Sequence, residues 1–85
     1  NKKNQINVDG LFIEVGSVPN IKLAEQLKLK LEKNQIIVDK NQKTNISGVF
    51  AAGDVTNNSL KQIITACSEG SIAAYNSYKE LKFEK

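Results

Sequence analysis

The segment Gly48-Val49-Phe50-Ala51-Ala52-Gly53-Asp54 constrains this chain more than any other part of it. An apolar run this short, closed by a glycine on each side, reads as a buried strand and is too brief for a helix. Gly53-Asp54 and the polar residues through Asn58 then turn the chain. Beyond the turn, Leu60, Ile64, Cys67, Ser71, Ala74, Tyr78 and Leu81 recur at steps of three and four. That spacing predicts one long helix, about Leu60 to Phe83, with those residues as its apolar stripe. A strand, a sharp turn and a helix together form the unit from which α/β sheets are assembled. Ligands of such sheets gather beyond the carboxyl ends of the strands, opposite helix N-termini whose unpaired amides carry roughly half a positive charge. Gly53 permits close approach, and the Asp54 carboxylate suits the hydroxyls of a sugar or polyol. These residues suggest a polyol-bearing, electron-rich ligand, with an ordinary Gly-Asp turn as the alternative.

Residues 1–7 read as a loose polar lead. Val8-Asp9-Gly10-Leu11-Phe12-Ile13-Glu14-Val15 reads as a strand ended by Gly16 and Pro19-Asn20, and the consecutive Leu11, Phe12 and Ile13 suit cover on both faces. Leu23, Ala24 and Leu27 give a short amphipathic helix from Ile21 to about Lys28. Lys33-Asn34 is a turn signal, and Gln35-Ile36-Ile37-Val38-Asp39 is a further strand, followed by a polar connection over 40–47. Ser59-Leu60-Lys61-Gln62 fits a capping box at the start of the long helix. The middle of that helix (Ala66, Cys67, Ser68, Gly70, Ser71, Ala73, Ala74) is small-sided, open to close packing on a sheet or to a flat ligand.

Eighty-five residues suffice for one small unit whose core is marginal alone. The usual staples of small domains are absent: there is no His, and one cysteine cannot form an internal disulfide or a Cys-based zinc site. All 12 basic residues are lysines, spread among nine acidic ones for a net charge of +3, and there is no arginine. Such a balance argues against nucleic acid as a partner and is ordinary surface chemistry. Lys22, Lys28, Lys30 and Lys33 are read as a solvated face. No apolar run reaches the length of a membrane span, no signal peptide is recognisable, and the free thiol suits a cytoplasmic setting. Cys67, on the expected apolar stripe, is read as a small buried hydrophobe. Tyr75 and Tyr78 are read as packed or partly exposed.

The wording of the motifs carries a resemblance. Thr44-Asn45-Ile46-Ser47-Gly48-Val49-Phe50-Ala51-Ala52-Gly53-Asp54-Val55 resembles the second flavin fingerprint of flavoprotein reductases built from two dinucleotide-binding folds. Lys61 to Ala74 resembles the helix that follows it in the thioredoxin reductase branch. Val8 to Gly16 and Val18-Pro19-Asn20 are similar to that family's exit strand from the nicotinamide domain, so the likeness covers about residues 8–82. It implies an α/β chain: the carboxy-terminal segment of a two-dinucleotide-fold (Rossmann-like, FAD- and NAD(P)-binding) flavoprotein, with short strands and a long final helix. Residues 1–20 would end the nicotinamide domain and cross over; residues 21–85 would complete the FAD domain. By the resemblance, Asp54 would bond the ribityl chain of FAD, with Gly53 allowing close approach. Gln62 and Ile63 would face the pyrimidine edge of the isoalloxazine. Lys61 stands where this family often has Arg, a less specific point charge. Gln62 cannot serve fully as both capping partner and flavin contact.

The family's Cys-x-x-Cys dithiol and its Gly-x-Gly-x-x-Gly phosphate loops have no counterpart here. No catalytic residue is therefore assigned, and the 85 residues alone are expected to be inactive. The resemblance implies an NAD(P)H-dependent enzyme passing electrons through FAD to a disulfide, with thioredoxin or a similar small redox protein as partner and a homodimeric full-length form. Two alternatives stand. One keeps the fold and changes the acceptor: an alkyl hydroperoxide reductase subunit or a ferredoxin–NADP reductase. The other is a non-enzymatic, partner-binding module.

Overall fold

The computed structural model describes residues 2–83. Its regular elements are α1 (Lys22–Gln26), β1 (Leu31–Glu32), β2 (Gln35–Ile36) and α2 (Ile63–Phe83). The short helix α1 ends in a Schellman motif: Leu29 N–H donates to the Ala24 carbonyl at 3.0 Å and Lys28 N–H to the Glu25 carbonyl at 3.1 Å. The motif needs a left-handed residue, and Lys28 takes that role at φ 60° where glycine would be unstrained. The same closure brings Ala24 and Leu29 into contact, and with Ile36 they form the buried core.

The expected turn at Lys33-Asn34 is present. Both residues have positive φ (51° and 62°), the geometry of a two-residue hairpin loop, and β1 and β2 pair antiparallel with Leu31 opposite Ile36. Ile36 is also bridged on its other edge, in parallel, to Thr56. There Ile36 N–H donates to the Val55 carbonyl (2.8 Å) and Asn57 N–H to the Ile36 carbonyl (2.9 Å). This three-way junction ties the hairpin to the segment just past Gly53. The Val49–Ala52 run is extended but forms no regular strand, being bridged only at Phe50, opposite Lys43. Its partner cannot continue the ladder because Gln42 turns left-handed (φ 63°). Gln42 is 3% exposed; its side-chain amide instead donates to the Ala51 carbonyl at 3.0 Å.

The long helix is present but begins at Ile63 and presents a different face from the one its apolar spacing suggests. Leu60, Ile64, Cys67, Ser71, Ala74, Tyr78 and Leu81 are all exposed. The inward residues are Thr65, Ala66, Glu69, Gly70, Ile72, Ala73, Asn76, Ser77 and Glu80, most of them small or polar. Cys67 is accordingly an exposed thiol rather than a buried hydrophobe. The Ser59–Gln62 capping box does not form either. Gln62 is itself the cap: its carbonyl accepts from Ala66 N–H (2.9 Å), and its own N–H donates to Thr65 Oγ1 at 3.1 Å. A Lys43–Glu80 ion pair (3.1 Å) holds the far end of α2 to the connection before Gly48.

Val8–Val15 is not a strand in this structure. Phe12 is 97% exposed, and no described segment offers the hydrogen-bonding edge that a strand covered on both faces requires. Tyr75 and Tyr78 are exposed, with the Lys79 ammonium 5.4 Å from the Tyr75 ring centre. Among the described residues no helix is long and apolar enough to cross a membrane.

The left-handed Lys28 supplies a test of the α1 closure. Lys28→Gly should stabilise the protein by about 0.5–1 kcal/mol, because relief of left-handed strain exceeds the added chain entropy of glycine. Denaturant titration of the full-length protein would show it as a higher midpoint with unchanged slope.

Candidate functional site

The site is built on the turn from Gly53 to Thr56. Thr56 N–H donates to the Gly53 carbonyl at 3.0 Å, and the Thr56 hydroxyl lies 2.8 Å from the same oxygen. Gly53 sits at φ 89°, a region that side chains rarely tolerate, and an added Cβ would lie 3.9 Å from the Ala66 methyl. The turn thus lies directly on the small face of α2. Asp54 occupies its exposed corner, and its carboxylate has no hydrogen-bond partner among the described residues.

The turn is anchored from behind by Glu69. Its Oε1 accepts from Gly53 N–H at 2.8 Å and lies 3.3 Å from the Thr56 hydroxyl. Glu69 is 9% exposed and Thr56 is fully buried, so this pair is a polar pin inside the unit. A charged acceptor on a backbone amide contributes roughly 1.5–3 kcal/mol, about twice a neutral bond. Lys61 adds a second tie, donating from its ammonium to the Thr56 carbonyl.

Asp54, Lys61, Gln62, Ile63 and Ala66 surround one open recess of about 330 Å³. Gly53 does not line it but lies against Ala66, which does. Four of the five residues singled out from the sequence (Asp54, Lys61, Gln62, Ile63) are therefore brought together, with the fifth, Gly53, as the floor of the turn. Because the first intrahelical bond is Ala66 to Gln62, the amides of Ile63, Ile64 and Thr65 have no hydrogen-bond partner among the described residues. One side of the recess offers a carboxylate acceptor and the other a helix start rich in donors. A second recess, between α1 and the Val49–Val55 run, is lined almost wholly by apolar side chains such as Leu23, Leu27, Leu29 and Phe50 and offers no such polarity.

A family model described as pyridine nucleotide-disulphide oxidoreductase matches residues 1–70. The chain belongs to the pyridine nucleotide-disulphide oxidoreductase family. Within that family it is 38% identical over 77 residues to an alkyl hydroperoxide reductase subunit of Staphylococcus aureus (strain Mu50), covering 91% of this chain and 15% of that protein. It is 46% identical over 72 residues to thioredoxin reductase of Listeria innocua, covering 85% of this chain and 23% of that one. The crystal structure of T. acidophilum thioredoxin reductase superimposes with a TM-score of 0.78 at 39% identity, over 86% of this chain and 24% of that one. The chain thus spans under a quarter of the length of these relatives. The small sheet and long helix are those of a piece of a Rossmann-like flavoprotein of this oxidoreductase family.

Glu69, Thr56 and Thr65 are not among the residues singled out from the sequence. The signal for Glu69 was available: it is the one carboxylate among the small side chains at the centre of α2, between Ala66 and Ala73. An isolated charge on an otherwise small face implies a specific partner.

The backbone requirement at Gly53 is testable. In the full-length protein Gly53→Ala should destabilise by about 1–3 kcal/mol through positive-φ strain. Gly10→Ala, at an open position, should leave the unfolding midpoint within error.

Proposed function

We propose that this chain is the flavin-facing segment of an NAD(P)H-dependent flavoprotein of the thioredoxin reductase type. In this reading residues 1–20 leave the nicotinamide domain and residues 21–85 complete the FAD domain. The observation that carries it is one recess of about 330 Å³ lined both by Asp54, whose carboxylate is unpartnered, and by the start of α2, where the Ile63 amide is unpartnered.

The fit to a flavin rests on those donors and acceptors. Asp54 accepts from ribityl hydroxyls, and Gly53, lacking a Cβ, lets the chain of the cofactor lie close. The Gln62–Ile63 helix start faces the pyrimidine edge with the free N–H of Ile63 and the positive end of a helix of 21 residues. Lys61 holds the loop to the helix start through the Thr56 carbonyl and adds positive charge beside the recess. Bound FAD supplies the two-electron carrier between a nicotinamide and a disulfide, and charge at the pyrimidine edge is one of the protein's handles on its electronics. The segment orients and tunes that carrier; it has no catalytic residue of its own.

The electron acceptor is a thioredoxin-like protein in this reading, with a cytoplasmic homodimer as the working form. The 38% identity to an alkyl hydroperoxide reductase subunit over 91% of the chain supports a second reading with the same core and another electron acceptor. Assays of the full-length protein with thioredoxin and with an alkyl hydroperoxide-reducing system as acceptor separate the two.

Asp54→Ala in the full-length protein should lower the flavin-to-protein ratio after dialysis and raise the Kd for FAD about tenfold, the cost of a charge-assisted hydrogen bond. An unchanged ratio would remove Asp54 from the site. The isolated 85-residue chain should associate or lack a cooperative melt, because Phe12, Ile13, Ile64 and Leu81 are exposed. A monomeric chain with a sharp two-state transition would count instead for a freestanding module.

A further inference from the structure

We propose that Glu69 is a positioning residue for the flavin site, setting where Asp54 stands relative to the start of α2. The inference rests on the flavin reading above. Glu69 does not line the recess; it sits behind the turn, buried, one helical turn beyond Thr65 and Ala66. Its Oε1 takes the Gly53 N–H at 2.8 Å, at the entry to the turn. The Thr56 hydroxyl, 3.3 Å from the same carboxylate and 2.8 Å from the Gly53 carbonyl, closes the exit. Asp54 lies between the two clamped ends.

The geometry has a mechanical consequence. The helix that presents the amide donors at Ile63 and Ile64 also carries the carboxylate that fixes the opposing acceptor. Donors and acceptor are therefore held to a single rigid element, although they lie on opposite sides of a polar loop. Gly53 alone cannot supply this, since a glycine in a loop is the least restrained backbone position available. A carboxylate is the suitable clamp because it only accepts, and its target is a backbone N–H with no other partner. The role needs an acceptor oxygen at this position rather than a charge, so glutamine should serve and alanine should not.

The test uses the full-length protein carrying this segment, with FAD titrated into flavin-free protein. Glu69→Ala should raise the Kd for FAD at least about tenfold, and Glu69→Gln should stay within about threefold of the parent. Thr56→Val, close in shape, should raise it about three- to tenfold. In an Asp54→Ala background Glu69→Ala should add less than about threefold, because a residue acting through Asp54 has nothing left to position. Amide exchange at Gly53 in the flavin-free protein should accelerate in Glu69→Ala and not in Glu69→Gln. Should Glu69→Ala fail to fold, the Glu69→Gln and Thr56→Val titrations decide.

Wild-type affinity in both Glu69→Ala and Thr56→Val, a loss in Glu69→Gln equal to that expected of alanine, or fully multiplicative effects with Asp54→Ala would each overturn the positioning role. An unchanged Kd in Asp54→Ala alone would instead overturn the flavin reading. The two failures are thus distinguishable.

Discussion

The hydrogen bond from Gly53 N–H to the Glu69 carboxylate decides how this unit is put together. It joins the turn after the apolar run to the middle of the long helix, and the orientation of that helix follows. With Glu69 turned inward, Ala66, Gly70 and Ala73 must follow it, and small side chains are what allow α2 to lie against a bare glycine. The same rotation sends Ile64, Cys67, Tyr78 and Leu81 to the surface. A buried carboxylate is costly unless its partners are well placed, so this contact does more to select one helix rotation than apolar burial does.

The second dependency runs through Ile36. It stands opposite Leu31 of β1 on one edge and is hydrogen-bonded on the other to Val55 and Asn57, so the hairpin and the turn share one buried residue. The Schellman closure of α1 delivers Leu29 onto the same residue. The result is a chain of short-range decisions, a left-handed Lys28, a two-residue loop at Lys33-Asn34 and a left-handed Gln42, that together present Gly53 to the helix. At the corner so presented, an acceptor stands opposite a set of helix-start donors, which is the complementarity a polyol joined to an electron-rich ring requires.

Local chemistry was readable in the amino-acid order. The turn at Lys33-Asn34, the short helix near Ala24, the strand-like run before Gly53 and the grouping of Asp54 with Lys61, Gln62 and Ile63 all follow from turn formers, periodicity and motif. What could not be read depended on partners distant in sequence. The stripe from Leu60 to Leu81 has good helical spacing, yet spacing does not reveal that Glu69 will be claimed by an amide 16 residues away. The capping box failed because Thr65 reaches back to Gln62, so the helix starts at Ile63 instead of after Ser59. Leu11-Phe12-Ile13 has the composition of a covered strand, but composition does not supply an edge to pair with, and the segment stands exposed. Cys67 followed the helix rotation outward.

The Gly53–Thr56 turn and the start of α2, in the reading proposed above, form the two sides of one flavin site. A crystal structure of the full-length protein with FAD tests this most directly. The expected result is the Asp54 carboxylate within hydrogen-bond distance, about 2.6–3.2 Å, of a ribityl hydroxyl, with Gln62 and the free Ile63 amide against the pyrimidine edge. A flavin seated elsewhere, with Asp54 still facing solvent, would contradict it.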